Sequence, residues 1–251
     1  MALFVTALFV TGLAPAEAHA ETLWEAFPPP AGAHREATTP FGVWLGTLPL
    51  REEGADVRAW DGQVVDIPHA RVVALDVTGQ RNLQCADTAL RLRATWERLV
   101  GQSPAFHYTS GDVSAWSSWA AGTRPRVRGS SVTFVAHAAA PDTSERAFAA
   151  WLADLYTYAG TRSLHLDTVS VTAPTPGDVL VVPGSPGHAV VILDVATEGT
   201  HQWVLVGQGY MPAMELHVPP GPDAGWFPVQ GEVLPTEPIP MPWSTLRRWV
   251  E

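Results

Sequence analysis

The chain has 251 residues, a formal net charge of -10, and 46% hydrophobic against 16% charged residues. It is too apolar to be disordered throughout, and it is long enough for one large domain or two small ones with a sizeable core. All 15 basic residues are arginine and form no basic run, which argues against nucleic-acid binding; the single cysteine, Cys85, excludes an intramolecular disulfide and a multi-cysteine zinc or iron–sulfur site.

Residues 2–14 (ALFVTALFVTGLA) are apolar and uncharged. They lead into Pro15 and then Ala16-Glu17-Ala18 and Ala18-His19-Ala20. Small residues at −3 and −1 mark a signal-peptidase site, so a signal peptide is expected over 1–20, cleaved after Ala20. That implies export to the periplasm, cell envelope or medium. The alternative is a buried N-terminal helix. No other stretch reaches 18 apolar residues, so no transmembrane segment is expected in the mature chain.

Residues 21–40 are rich in Pro, Ala and Thr and read as a loosely ordered lead-in. The rest, 41–251, reads as a single domain. Phe41–Leu48, Val64–Ile67 and Arg71–Val77 read as strands. Leu83–Val100 is the clearest helix, with Leu83, Ala86, Leu90, Ala94 and Leu99 near a 3.6 period. Asn82 suits its N-cap and Gly101 its stop. Phe106–Tyr108 and Ser131–Ala136 read as strands around a loop containing Trp116 and Trp119. Ser144–Tyr158 reads as a helix opened by Asp142 or Thr143 and closed by Gly160. Strands follow at Val179–Val182, His188–Asp194 and Trp203–Val206. The Pro-rich segment 219–242 keeps Trp226 and Phe227, so it reads as an extended strap packed on the domain. Strands, then helices, then an antiparallel meander imply an α+β fold.

Cys85 falls in the first turn of the Leu83–Val100 helix. Free N–H groups and the helix dipole there favour a thiolate, the nucleophilic form. Those N–H groups could also hold an oxyanion, together with Gln80 or Gln84. Among nine histidines, His188 stands out because it heads the apolar strand AVVIL after Gly-Ser-Pro-Gly. Gln208 ends the next strand and would sit beside it, as an orienting group for the imidazole. Asp194 lies six residues along the same strand, roughly 20 Å away, and is set aside. Each residue has a bland reading too: Cys85 as an inert buried thiol, His188 as a structural strand-start histidine, Gln208 as an edge hydrogen-bonder, Asp87 as a partner of the helix dipole. No metal-ligand spacing surrounds His188 or His217, so neither a metal nor a cofactor is expected.

The segments QCADTALRLRATW, YTYAGTRSL, PGDVLVVPGSPGHAVVILDVA and LVGQGYMPAMELHV occur in that order. Together they resemble the exported bacterial family of domain of unknown function 4846, from about Phe41 to Trp249. At longer range the pattern is similar to NlpC-type members of the papain-like cysteine hydrolases. That resemblance implies a papain-like fold, with the Cys-bearing helix packed on an antiparallel meander. It further implies Cys85 as nucleophile, His188 as base and Gln208 as orienter. The substrate would be an amide, with peptidoglycan stem peptide the natural choice. Trp116, Trp119, Ser185, Tyr210 and His217 are candidates for lining the substrate cleft; for the two tryptophans, ordinary packing is the alternative. The rival reading of the whole chain is a non-catalytic cell-envelope binding or scaffold domain.

Overall fold

The structure is a computed structural model that describes residues 20–36 and 39–250. The signal peptide expected over 1–20 therefore lies, apart from Ala20, outside the described residues.

The described part of the segment read as a loose lead-in is instead built into the fold. Helix α1 (Leu23–Ala26) buries Leu23, and Phe27 is buried beside it. Strand β1 (His34–Arg35) pairs antiparallel with Ala196 and Thr197. Arg35 bonds Asp194 at 2.6 Å and the carbonyls of Trp24 and Phe27. The composition misleads because Pro suits any extended segment, while burial of Leu23 and Phe27 decides where this one goes.

Helix α2 (Pro40–Gly46) stands where Phe41–Leu48 reads as a strand. Thr39 Oγ1 accepts the Gly42 N–H at 3.1 Å, and Pro40 opens the first turn. Phe41 and Leu45 are buried, four residues apart, while Val43 is exposed. Of the strand read over Arg71–Val77, only β2 (Arg71–Val72) is a paired strand. Asp76 Oδ1 then takes the Thr78 N–H at 2.9 Å and turns the chain. Val64–Ile67 forms no strand; an isolated bridge joins Val64 to Arg58.

Helix α3 (Cys85–Leu99) ends at Gly101, whose φ of 79° lets two bonds close the last turn: Gly101 N–H to Arg98 O and Gln102 N–H to Glu97 O. A hairpin of β3 (Ala105–His107) and β4 (Val113–Ala115) follows. The Trp-rich loop folds as the short helix α4 (Trp116–Ala120). Strand β5 (Arg124–Arg128) pairs with β6 (Ser131–Val135). Helix α5 (Glu145–Tyr158) is capped by Ser144, whose Oγ accepts the Ala147 N–H at 3.2 Å. Helix α6 (Thr161–Leu166), not foreseen, comes directly after it.

The remaining strands are β7 (Thr168–Ser170), β8 (Val179–Val182), β9 (His188–Glu198), β10 (His201–Gly207), β11 (His217–Val218), β12 (Trp226–Pro228), β13 (Val233–Leu234), β14 (Met241–Pro242) and β15 (Leu246–Trp249). Among the described residues the main sheet has seven strands in the order β12-β10-β9-β8-β15-β7, with β1 on β9. Its pairings are antiparallel, and the fold is α+β. Strand β9 is buried on both faces. Ala189, Val191 and Leu193 join the larger core with α3 and α5; Val190 and Ile192 join a second core with Leu180, Val204, Phe227 and Leu246. The Pro-rich segment 219–242 adds Phe227, Leu234 and Met241 to that second core, with β12 on the sheet edge and β13 against β14. Among the described residues no helix is long and apolar enough to cross a membrane.

Candidate functional site

The site lies where the start of α3 meets the start of β9. Gln84 is extended and its N–H donates to Asp87 Oδ2 at 3.0 Å, so the helix is capped from Gln84 and not from Asn82. Thr88 adds a bond from its hydroxyl to Gln84 O at 2.9 Å. Cys85 is thus the first helical residue. The N–H groups of Cys85 and Ala86, which no helical carbonyl can reach, point at its sulfur. So does the Ala189 N–H, one residue beyond His188.

Cys85 lines a cleft of about 490 Å³. One wall is the Gly184-Ser185-Pro186-Gly187 turn; the other is the junction of α5 and α6, from Tyr156 to Thr161. Thr161 Oγ1 ties the two walls, accepting the Gly184 N–H at 3.2 Å. A side chain at Gly187 would meet that oxygen at 2.3 Å and Val182 O at 2.7 Å, so the turn needs glycine there. Gln84 and Asp87 also line the cleft, and Met211 stands at its edge.

His188 lies behind the cleft wall, 1% exposed. Its Nε2 is 3.1 Å from Gln208 Oε1. The Gln208 amide nitrogen donates to Glu237 O at 2.7 Å, which turns Oε1 toward the imidazole. His188 Nε2 therefore carries the proton and Nδ1 is bare. That Nδ1 is buried and has no hydrogen-bond partner, Cys85 included. The Tyr210 ring packs edge-on against His188 at 5.4 Å.

Burial governs the electrostatics. It raises the Cys85 thiol above its ordinary range, with the Ala189, Ala86 and Cys85 N–H groups pulling the other way. The thiolate expected at a helix start is therefore not the resting form: the sulfur loses more from leaving water than it gains from the N–H groups. Asp87 is pushed up to about 8 by burial, and its Oδ1 has no partner. His188 is lowered, again by burial, against the pull of Gln208. At neutral pH thiol, carboxyl and imidazole are all held towards their uncharged forms.

The other sequence candidates divide. Ser185 and Gln84 line the cleft. Gln80 sits in the preceding turn, its carbonyl taking the Leu83 N–H at 2.9 Å, away from the cleft lining. His217 is 0% exposed and lies behind Gln208, out of reach of a substrate. Tyr210 packs on His188 and is absent from the cleft lining. Trp116 belongs to the core, its ring 5.2 Å from Phe148 and 6.1 Å from Trp151. Trp119 stacks under the Arg124 guanidinium at 4.1 Å and lines a separate cavity with Phe134. Aromatic packing draws Trp116 away, and the Arg124 guanidinium holds Trp119. Among the described residues no three His, Cys, Asp or Glu side chains cluster to hold a metal ion.

Sequence reasoning missed Asp87 as a cleft residue, Thr161 and the Glu237 carbonyl. Asp87 was in view, two residues after Cys85 in the first turn. The Glu237 carbonyl leaves no side-chain signal.

No curated protein and no solved structure matches the chain. The family model described as domain of unknown function (4846) matches residues 23–247, from the first residue of α1 into β15. The chain belongs to the domain of unknown function 4846 family.

Proposed function

We propose that the protein is an exported thiol hydrolase or acyltransferase acting on an amide bond, on a papain-like, NlpC-type arrangement. One observation carries this reading. Cys85 opens a helix in the lining of a cleft, its sulfur facing the N–H of Ala189, the residue after a histidine whose Nε2–H is held by Gln208 and whose Nδ1 is bare. In the reaction His188 Nδ1 takes the thiol proton as sulfur bonds to the amide carbon. The Cys85 and Ala86 N–H groups face the oxyanion. As it collapses, the C–N bond breaks and the imidazolium gives its proton to the leaving amine. Water or a second amine then releases the thioester. A cell-wall stem peptide is the substrate that export and the wider resemblance favour.

A second reading, a non-catalytic envelope binding domain, is favoured by the raised thiol and the absence of a Cys85–His188 hydrogen bond. Iodoacetamide at neutral pH separates the two. The hydrolase reading expects Cys85 to label in the folded protein, and His188→Ala to slow labelling severalfold. Labelling only after denaturation would sink it.

A further inference from the structure

His217 is fully buried and does not line the Cys85 cleft, yet it faces the group that orients His188. The Gln208 amide has two N–H bonds and one carbonyl. One N–H donates to Glu237 O at 2.7 Å, and the carbonyl accepts from His188 Nε2 at 3.1 Å. The second N–H points at His217 Nε2, 3.4 Å away. On the far side, His217 Nδ1 lies 3.2 Å from Glu215 O. A carbonyl can only accept, so Nδ1 is the protonated nitrogen and Nε2 keeps its lone pair.

The chain therefore has one consistent proton order. A flipped Gln208 amide would set its oxygen against two acceptors, Glu237 O and His217 Nε2, and its NH2 against His188. We infer that His217 is a positioning residue: with Glu237 O it locks the Gln208 amide, and through it holds His188 as the Nε2–H tautomer with Nδ1 free to take a proton. This rests on the reading of His188 as the base for Cys85. The lock needs a neutral His217, and burial lowers that group to about 4, with His69 and His188 adding repulsion. Glu215 pairs with Arg51 at 2.9 Å, and Arg71, on the strand paired with that of His217, pairs with Glu21 at 2.7 Å. The His69 ring stands 6.5 Å from that of His217.

Nitrogen-15 spectra of the full chain read each imidazole tautomer directly. The wild type is expected to show His217 protonated at Nδ1 and His188 at Nε2. His217→Leu removes the acceptor; it should mix the His188 tautomers and slow Cys85 alkylation about three- to tenfold, the worth of one net hydrogen bond. His217→Gln, which restores an acceptor, should recover both. His217 protonated at Nε2 in the wild type overturns the inference without any variant, as do unchanged His188 tautomers in folded His217→Leu. The expected tautomers together with a thiol that never alkylates support the lock and count against the hydrolase reading alone.

Discussion

His188 and Gln208 meet at the ends of neighbouring antiparallel strands, Nε2 to Oε1 at 3.1 Å, both buried to within 1%. The pairing leaves one imidazole nitrogen engaged and the other bare. Gln208→Leu should unpair the part-buried Glu237 carbonyl and strand two buried groups, the His188 Nε2–H and the His217 Nε2. Each costs about 1–3 kcal/mol when left unpaired. Urea unfolding should show a loss in that range or above, and alkylation of Cys85 should slow in the same variant.

Gly187 sits where the Gly-Ser-Pro-Gly turn passes Thr161. Gly187→Ala forces a methyl to 2.3 Å from Thr161 Oγ1 and 2.7 Å from a backbone carbonyl. The turn must move, at about 1–3 kcal/mol. The cleft should change shape with it, so a bulky maleimide should lose more rate at Cys85 than iodoacetamide does. Equal effects on both reagents would disprove a shape change.

Burial pushes the Asp87 carboxyl up from the ordinary 3.8 to about 8. The folded state then binds more protons than the unfolded state between about pH 4 and 8, so stability falls as pH rises through that window. Asp87→Asn mimics the protonated carboxyl: the amide oxygen can take the Gln84 N–H. The variant should flatten this slope and be the more stable protein at pH 8. Denaturant midpoints at pH 5 and pH 8 test it.

His217 has the opposite slope. Burial lowers its imidazole from the ordinary 6.5 to about 4. Its contribution is complete above about pH 6.5 and is lost as pH falls to about 4, amounting to about 3 kcal/mol. In the wild type the two slopes oppose each other between pH 4 and 6.5. His217→Gln should remove the His217 contribution and make the protein lose stability more steeply as pH rises across that range. A slope unchanged from wild type would mean that His217 is not neutral-buried in solution.

Much of the frame was legible where side chains report on the backbone. Strand β8 has the bounds its apolar run implies, and β9 starts at His188 as its turn chemistry implies. The antiparallel order of the strands brings Gln208 near His188, and a bulge between Leu205 and Val206, which no residue pattern marks, sets it on the same face. Helix α2 was not legible: Phe41, Val43 and Leu45 alternate as a strand would, and only Thr39 with Pro40 marks a helix start. The thiol's electrostatic state was not legible either. Position in the first turn argues for an anion, but depth of burial is a tertiary property and outweighs it. The polar backing of Gln208 comes from a carbonyl between prolines in the 219–242 strap, which no spacing rule reaches.

Strand β9 carries His188 at one end and, at the other, is gripped by Arg35 through Asp194 and by the ladder to β1. The indole of Trp226 also donates to Pro28 O at 2.9 Å. Domain limits drawn from composition, at residue 41, would cut all three ties. A protein trimmed there would keep every residue of the cleft and still expose a buried carboxylate and an open sheet edge. Fragment boundaries for expression or for grafting this fold onto another chain belong before residue 21, however dispensable a stretch of prolines looks.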